Sequence, residues 1–356
     1  MASPSPLRVL VVDDSAYNRR NIADILSASG EIEVCGKAGD GDEALRLVSQ
    51  IKPDVITLDL EMPRMDGFTF LRILMARQPT PVIVVSSYSN KENVFKALEL
   101  GAIDFVAKPD RQFVPDEAIR SEILSKVLLV RSLRPLSTSM ARAPAPAPRP
   151  AEPAPSRAAT VPRYLVAIAS STGGPSALIE LFSRLPERFP GAILIAQHMP
   201  DKFTKTFAER LDKKGAIRVV EAQDGDVVTA RRAYVCPGKQ CMELTGLGPS
   251  FGDLRLRVTP PLPTDRYCPS GDRLLKSVGN LAGSRGIGVI LTGMGDDGVA
   301  GAKAIRAGGG VVLAESEATA VVYGMPAAAV RAGIVSEELP LPALVEYLAN
   351  LGVDKS

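Results

Sequence analysis

Three polar motifs in the C-terminal half of the chain carry a hydroxyl, an imidazole and a carboxylate. Ser171 lies in SSTGGP after the apolar run YLVAIA, His198 lies in QHMP after AILIA, and Asp296 and Asp297 lie in MGDDG after GVILT. In a nucleophilic hydrolase the imidazole takes the hydroxyl proton, while the carboxylate fixes the imidazole tautomer and stabilises the imidazolium ion. His198 is the single histidine among 356 residues, so it is the one candidate for such a base.

Taken one at a time, the same motifs have simpler interpretations. A lone histidine is usually packed and hydrogen-bonded, and Ser, Thr or Asp before a helix usually caps that helix. Around Ser171 there is neither a phosphate-loop pattern, nor GxGxxG, nor the GxSxG elbow of ordinary α/β-hydrolases. Chemistry is favoured because all three motifs follow strand-like runs, and the carboxyl ends of parallel strands meet at one edge of a sheet.

Short runs rich in β-branched residues alternate with helical patterns in both halves of the chain. The N-terminal strands are predicted in LRVLVVDD, DVITLDL, PVIVVSS and DFVAKP, and its helices in segments such as AYNRRNIADILSAS and NVFKALELG. The C-terminal strands are predicted in RYLVAIAS, AILIAQH, RRAYVC, IGVILTG and VVLAES, with LRLRVTPPLPTD as an edge hairpin strand. This alternation predicts an α/β protein with two open, doubly wound parallel sheets, one flavodoxin-like and one Rossmann-like.

A change of composition separates the two halves. The stretch RPLSTSMARAPAPAPRPAEPAPSRAATVP is rich in Pro, Ala and Ser and has no apolar periodicity, which is typical of a semi-rigid spacer. We therefore predict a domain at 1–130, a flexible linker at 131–161 and a second domain at 162–356.

Overall composition argues against several classes of partner. With 42 basic and 40 acidic residues the net charge is +2, which gives no electrostatic reason to expect binding to nucleic acid or a membrane surface. No apolar run has the length of a membrane span, and MASPSPLRVLVVDD lacks the features of a secretory signal. The four cysteines form no CxxC pair, and one histidine is too few to favour zinc at Cys236 and Cys241. We expect a cytoplasmic protein with reduced thiols and no membrane insertion.

An acidic cluster is predicted in the N-terminal half. Asp13 and Asp14 end the first strand and Asp59 ends another, so three carboxylates should converge where Lys108 and Ser86 also end strands. Crowded carboxylates need a cation, and hard oxygen ligands suit Mg²⁺. A carboxylate beside a metal, an ammonium and a hydroxyl is a site for accepting a phosphoryl group. The alternative is a set of helix caps.

This half resembles the receiver domain of two-component response regulators. The resemblance rests on VVDDS, LDLEMPRMDG, VVSS and the terminal KP, within about 7–129. It implies phosphorylation at Asp59 and a cis peptide bond between Lys108 and Pro109. The other residues that it implies are Asp13, Asp14, Asp59 and the backbone carbonyl of Glu61 for binding Mg²⁺, and Ser86, Phe105 and Lys108 for switching.

The C-terminal half is similar to the catalytic domain of the CheB family of chemotaxis methylesterases. The motifs SSTGGP, QHMP, FAERLD, YVCPG, LTGMGDDG and YGMP carry the resemblance, from about 164 to 335. It implies that Ser171 is the nucleophile, His198 the base and Asp297 the triad carboxylate. It also implies that the backbone N–H of Met294 helps to form the oxyanion hole. The order receiver, linker, esterase is the order of that family.

Three features complicate this assignment. Ser170 precedes Ser171, so a second hydroxyl is close by. Asp296 stands beside Asp297, where we expect an uncharged residue in some relatives. RYCPSGDRLL replaces a more apolar version of a loop on the substrate side.

The resemblance implies a phosphorylation-activated protein-glutamate methylesterase that releases methanol from chemoreceptor glutamyl methyl esters and deamidates specific receptor glutamines. Mg²⁺ would serve the receiver domain alone, and ester hydrolysis would need no cofactor. The implied partners are methyl-accepting chemoreceptors and a CheA-type histidine kinase, with no nucleic acid, and we expect a monomer. The alternatives are a non-enzymatic response regulator that binds a partner or DNA, and an esterase acting on another protein outside chemotaxis.

Overall fold

The computed structural model describes residues 5–87, 91–108, 116–133, 161–246 and 253–352. The chain divides into two compact units, Met1–Ala141 and Arg142–Ser356. Most of the 131–161 linker and the peptide bond between Lys108 and Pro109 lie outside the described residues, so the domain boundaries and the cis bond stay predictions.

The first unit is built on a parallel sheet with the strand order β2-β1-β3-β4-β5. Its strands are β1 (Leu7–Val12), β2 (Ile32–Ala38), β3 (Val55–Leu58), β4 (Val82–Ser87) and β5 (Asp104–Lys108). Its helices are α1 (Ala16–Ser27), α2 (Gly41–Ile51), α3 (Gly67–Arg77), α4 (Lys91–Glu99) and α5 (Glu117–Leu128). The side chains of Ser15, Asp40, Asp66 and Asp116 cap α1, α2, α3 and α5 by accepting a backbone N–H from the first turn.

The second unit has a longer parallel sheet with the order β14-β13-β12-β6-β7-β9-β8. Its strands are β6 (Tyr164–Ser170), β7 (Gly191–Gln197), β8 (Arg218–Glu221), β9 (Arg232–Val235), β12 (Gly286–Ile290), β13 (Val311–Glu315) and β14 (Glu337–Leu339). Its helices are α6 (Gly174–Arg184), α7 (Asp201–Lys214), α8 (Gly271–Ala282), α9 (Val299–Ala307), α10 (Met325–Arg331) and α11 (Leu341–Ala349). The predicted α/β class with parallel sheets in both halves is confirmed.

A separate hairpin lies beside this sheet. β10 (Cys241–Thr245) pairs antiparallel with β11 (Arg255–Thr259), so the LRLRVT segment is a hairpin strand, but the edges of the parallel sheet are β14 and β8. Leu244 and Leu256 are buried in the core, and Leu244 N–H donates to Ser277 Oγ of α8 at 2.8 Å. The hairpin therefore packs on α8 rather than extending the sheet.

Helix α8 meets α9 at backbone distance. A Cβ atom added to Gly279 would lie 2.4 Å from the backbone nitrogen of Ile305, and one added to Gly301 would lie 2.3 Å from the carbonyl oxygen of Asp272. Glycine is needed where two backbones approach this closely. Gly301 N–H also donates to Asp272 Oδ1 at 2.9 Å. These contacts fix the first turn of α8 next to the loop between β12 and α9.

No described helix is long and apolar enough to cross a bilayer.

Candidate functional site

The predicted hydroxyl, imidazole and carboxylate lie at one edge of the larger sheet. β12, β6 and β7 are adjacent parallel strands, so their carboxyl ends meet. Ser171 directly follows β6, His198 directly follows β7, and Asp297 lies between β12 and α9. The polar ends of three buried strands therefore converge, as is usual for ligand sites of parallel sheets.

The imidazole and a carboxylate are in direct contact. His198 Nε2 lies 2.7 Å from Asp297 Oδ2, and the Asp297 side chain is 1% exposed whereas that of His198 is 18% exposed. With Nε2 bound to the carboxylate, Nδ1 is the ring nitrogen that remains to accept a proton. Nε2 is thus held by Asp297, and Nδ1 is left for proton transfer.

The buried charge of Asp297 is stabilised by backbone donors. Gly271 N–H donates to Oδ2 at 2.7 Å, and the N–H groups of Asp272 and Gly298 donate to Oδ1 at 2.9 and 3.0 Å. Gly271 and Asp272 form the first turn of α8, where the helix dipole favours negative charge. A buried carboxylate without partners would cost several kcal/mol, and these three bonds supply its partners beside His198.

Gly271 also provides the space for this contact. A Cβ atom at that position would lie 2.6 Å from Ala169 Cβ and 3.1 Å from Asp297 Oδ2. A larger residue would push the first turn of α8 away from β6 and from the carboxylate.

The neighbouring Asp296 has other partners. Its Oδ1 accepts the hydroxyl proton of Tyr267 at 2.9 Å, and its Oδ2 lies 3.1 Å from Arg266 Nη1. These hydrogen bonds, that of Tyr267 first, hold the pKa of Asp296 below its ordinary value. Of the two adjacent aspartates, Asp297 therefore contacts the imidazole and Asp296 contacts the loop before α8.

The two serines of SSTGG differ in environment. Ser170 is the last residue of β6, is fully buried, and donates its hydroxyl to Gln197 Oε1 at 2.6 Å. Ser171 is partly exposed, and its N–H donates to the carbonyl oxygen of Thr292 at 3.0 Å. The first serine belongs to the core, and the second lies at the sheet edge.

A buried amide connects the segments of Ser171 and His198. Gln197 Nε2 donates to the carbonyl oxygen of Ser171 at 3.0 Å and to that of His198 at 2.9 Å, while Oε1 accepts from Ser170. Gln197 is 1% exposed. Because the sheet pairing of β6 with β7 ends at Ser170 and Gln197, this amide continues the link between the two segments. The sequence analysis missed it, since Gln197 stood unremarked inside QHMP.

The loop carrying Met294 passes tightly against Ser171. A Cβ atom on Gly293 would lie 2.7 Å from Ser171 Cβ, and Gly293 N–H donates to the carbonyl oxygen of Val322 at 3.0 Å. Met294 follows directly, with 54% of its surface exposed. On the other side, Gly173 has a φ of +79°, and a Cβ there would lie 2.7 Å from Val321 Cβ.

A second buried carboxyl group lies behind this loop. Glu315 ends β13, and its Oε2 accepts the N–H of Thr292 at 2.9 Å. Burial raises the pKa of Glu315 to about 7. Thr292 in turn donates its hydroxyl to the carbonyl oxygen of Thr172 at 2.9 Å. Glu315 therefore supports the residue that holds both Ser171 and Thr172, and no motif in the sequence indicated this.

The acidic cluster of the first unit forms at the strand ends of its own sheet. Asp13, Asp14 and Asp59 offer carboxylate oxygens that all lie within 4.8 Å of one another. Asp13 and Asp59 are buried, and Asp14 is exposed. Hard oxygen ligands in this arrangement fit Mg²⁺.

Lys108 provides the positive charge of the cluster. Its Nζ lies 3.0 Å from Asp13 Oδ2 and also contacts Asp59 Oδ2. Burial alone would lower the pKa of Lys108, but Asp59 and Asp13 raise it above its ordinary value. Burial, reinforced by Asp59 and opposed by Lys108, raises the pKa of Asp13 to about 6. A bound divalent cation would reduce the repulsion between these carboxylates.

Two residues predicted for switching, Ser86 and Phe105, lie on β4 and β5, and the predicted metal ligand Glu61 lies two residues after Asp59. Ser86 is buried in β4, where its register partner in β5 is Ala107, next to Lys108. Phe105 of β5 is 2% exposed, with Lys126 Nζ 5.2 Å from its ring centroid. Glu61 is exposed, and its N–H donates to Asp59 Oδ1 at 3.4 Å.

Two protein-family models match this chain. The model of the CheB methylesterase family matches residues 166–348, and the model of the response regulator receiver domain matches residues 9–117. The chain belongs to the CheB methylesterase family. The predicted resemblance and the predicted pairing of a receiver with a CheB catalytic domain are confirmed.

CheB relatives match over nearly the whole chain. Protein-glutamate methylesterase/protein-glutamine glutaminase 1 of Myxococcus xanthus is 45% identical, covering 99% of both chains. Protein-glutamate methylesterase/protein-glutamine glutaminase 6 of Anaeromyxobacter dehalogenans is 50% identical, covering 98% of this chain and 96% of its own. The crystal structure of the Thermotoga maritima CheB methylesterase catalytic domain, 37% identical, superposes with a TM-score of 0.50 over 53% of this chain and 98% of its own.

Replacing Gln197 should slow the chemistry of the CheB site without removing any candidate catalytic group. Gln197→Leu loses all three hydrogen bonds, so Ser171 and His198 lose their common support. We expect the rate at which a fluorophosphonate labels the candidate nucleophile Ser171 to fall about 10- to 100-fold, the loss typical of an ångström-scale misplacement. The measurement is labelling kinetics followed by mass spectrometry.

The exposed Gln223→Leu is the matched control, since it makes the same chemical change on the surface and should label at the wild-type rate. A folded Gln197→Leu protein that labels as fast as the wild type would show that the amide does not position the site.

Proposed function

We propose that this chain is a phosphorylation-activated protein-glutamate methylesterase and protein-glutamine glutaminase that acts in chemotaxis adaptation. The observation that carries the proposal is the His198–Asp297 pair at the strand edge that also bears Ser171. The names of the relatives from Myxococcus and Anaeromyxobacter support the substrate class. The substrates would be glutamyl methyl esters and specific glutamines of methyl-accepting chemoreceptors.

Ser171 is the proposed nucleophile. The buried hydroxyl of Ser170 is committed to Gln197, whereas Ser171 lies at the partly exposed sheet edge. Ser171 Oγ attacks the ester carbonyl, and the methoxide leaves as methanol after gaining a proton. Water then hydrolyses the acyl-enzyme, which restores the Ser171 hydroxyl and leaves a glutamyl carboxylate on the substrate protein.

His198 is the proposed general base and acid. Its Nδ1 takes the proton of Ser171 and delivers it to the leaving group, while Asp297 at Nε2 holds the tautomer and stabilises the imidazolium ion. The tight packing of Gly293 on Ser171 supports the backbone N–H of the next residue, Met294, as an oxyanion donor. These groups would perform the hydrolysis without a cofactor.

The first unit is the proposed regulator. Asp59 would accept a phosphoryl group from a CheA-type histidine kinase, with Lys108 neutralising charge and Ser86 and Phe105 acting as the switch. When bound, Mg²⁺ would neutralise charge on the transferring phosphoryl group. The residues that would hold the ion are Asp13, Asp14, Asp59 and the carbonyl of Glu61. Phosphorylation would then shift the population of the enzyme, which we propose to be a monomer, towards active forms.

Substituting Ser171 and Ser170 in turn should distinguish the proposed nucleophile, Ser171, from the buried serine that only hydrogen-bonds to Gln197. Ser171→Ala should lower methanol release from methylated receptor membranes by at least about 10⁴-fold, as expected when a triad nucleophile is removed. Ser170→Ala removes one hydrogen bond of about 1 kcal/mol and should cost less than about tenfold. The readout is methanol release at matched protein concentration; full activity in Ser171→Ala would reject the nucleophile.

Activation by a small phosphodonor should depend on Asp59 and on Mg²⁺. Wild-type enzyme should release methanol faster with acetyl phosphate and Mg²⁺, whereas Asp59→Asn should show only the basal rate. Chelation of Mg²⁺ should abolish activation and leave the basal rate unchanged, because the proposed ester chemistry uses no metal. Activation that survives Asp59→Asn would place the phosphorylation site elsewhere.

A further inference from the structure

Tyr267 contacts both the imidazole of His198 and the side chain of Asp296. The ring of Tyr267, from RYCPSGDRLL, stacks on the ring of His198 with 5.2 Å between centroids and an interplanar angle of 12°. The Tyr267 hydroxyl donates to Asp296 Oδ1 at 2.9 Å. Asp297 thus contacts the edge of the His198 imidazole, and Asp296 holds the Tyr267 ring that covers the face of the same imidazole.

Tyr267 is itself held in place. The guanidinium of Arg266 lies 5.4 Å from the Tyr267 ring centroid and 3.1 Å from Asp296 Oδ2. A Cβ atom on Gly295 would lie 2.5 Å from the Tyr267 hydroxyl oxygen, so the backbone of the loop carrying Met294 closes against the ring. Burial, followed by the hydrogen bond to Asp296, raises the pKa of Tyr267, so the hydroxyl stays a donor at neutral pH.

This contact removes a freedom that Asp297 leaves open. One hydrogen bond at Nε2 restrains that nitrogen but allows the ring to tilt about the bond, which would move Nδ1. A flat neighbour parallel to the imidazole restrains the tilt. Parallel stacking therefore sets the direction in which Nδ1 donates or accepts a proton.

We infer that Tyr267, anchored by Asp296, is a positioning residue that holds His198 in the orientation needed to protonate the leaving group. This inference rests on the proposed function. If Tyr267 has this role, deamidation should depend on it more strongly than ester hydrolysis does.

The reason lies in the leaving groups. In both reactions the Ser171 Oγ–carbon bond forms, and the bond from carbon to oxygen or to nitrogen breaks. The proton that His198 took from Ser171 goes to the departing group, which leaves as methanol or as ammonia. Methoxide can begin to depart before it is protonated, whereas an amide nitrogen departs only with the proton in place. A misdirected imidazole should therefore harm deamidation more than ester hydrolysis.

The test compares ammonia release from receptor membranes that carry glutamines with methanol release from methylated ones, using the full-length enzyme. Tyr267→Leu should lower kcat for methanol release about 5-fold and for ammonia release at least about 50-fold, within the range that general acid–base catalysis supplies. KM should change little for either substrate. Tyr267→Phe keeps the ring but loses the hydroxyl that donates to Asp296. Its ratio of the two rates should therefore lie between those of the wild type and Tyr267→Leu.

Several controls separate positioning from loss of folded protein. Fluorophosphonate titration counts competent sites in each variant, and Tyr347→Leu on α11 makes the same change elsewhere in the unit and should leave the ratio unchanged. Asp296→Leu should shift the ratio in the same direction as Tyr267→Leu, and the double variant should add little, because the two side chains act as one unit.

The outcomes distinguish this inference from the function on which it rests. Equal loss of both activities in Tyr267→Leu, or an unchanged ratio, would overturn the positioning role and leave the proposed function standing. A wild-type enzyme that releases neither methanol nor ammonia would overturn the proposed function and this inference with it.

Discussion

The second unit depends on supplying hydrogen-bond partners to a carboxylate that is buried beside an imidazole. Asp297 is 1% exposed, and its oxygens are satisfied by His198 and by three backbone N–H groups. Two of those donors belong to the first turn of α8, so that helix must begin at the sheet edge. Gly279 and Gly301 let α8 and α9 approach closely enough to place it there. The close packing of α8 on α9 is thus what brings the N–H donors to the buried carboxylate.

The first unit also buries carboxylates at its strand ends, but there a charged ammonium is their partner. Asp13 and Asp59 are also buried at the ends of parallel strands, but their partner is the ammonium of Lys108. A cation that contacts two carboxylates still leaves the cluster negative, which favours a divalent metal and then a phosphoryl group. Asp297 has neutral N–H donors and no such excess, which suits a carboxylate that only orients a neighbour. Two parallel sheets of different strand order therefore place different donors, a charged ammonium and neutral N–H groups, beside the buried carboxylates at their strand ends.

Much of this was predictable because strand ends carry chemistry in parallel sheets. The apolar runs before Ser171, His198 and Asp297 correspond to β6, β7 and β12, so the three motifs could be placed at one edge from sequence. Strands β2, β8, β10 and β14 were not predicted. β2, β8 and β14 are edge strands and β10 lies in the separate hairpin, so their sequences lack the continuous apolar run of a central parallel strand. The choice between Asp296 and Asp297 was open, since it depends on where α8 begins.

Other contacts had no sequence signal because they arise only when distant segments meet. Tyr267 stacks on a ring 69 positions away in the chain, counted from His198. Glu315 reaches Thr292 from the next strand, and nothing in VVLAES marks it as polar support. Gln197 is adjacent to the imidazole in sequence, yet its role depends on the end of the pairing between β6 and β7. Residues that position others are therefore harder to predict than residues that react.

The most direct test of the central claim compares Asp297→Asn with Asp296→Asn in steady-state methanol release from methylated receptor membranes. Asp297→Asn keeps the size of the side chain but removes the buried charge that orients His198, and kcat should fall by about 10⁴-fold, as for the carboxylate of other triads. Asp296→Asn keeps an acceptor for Tyr267 and should retain most of the wild-type rate. The reverse order, with Asp296→Asn inactive and Asp297→Asn active, would contradict the account.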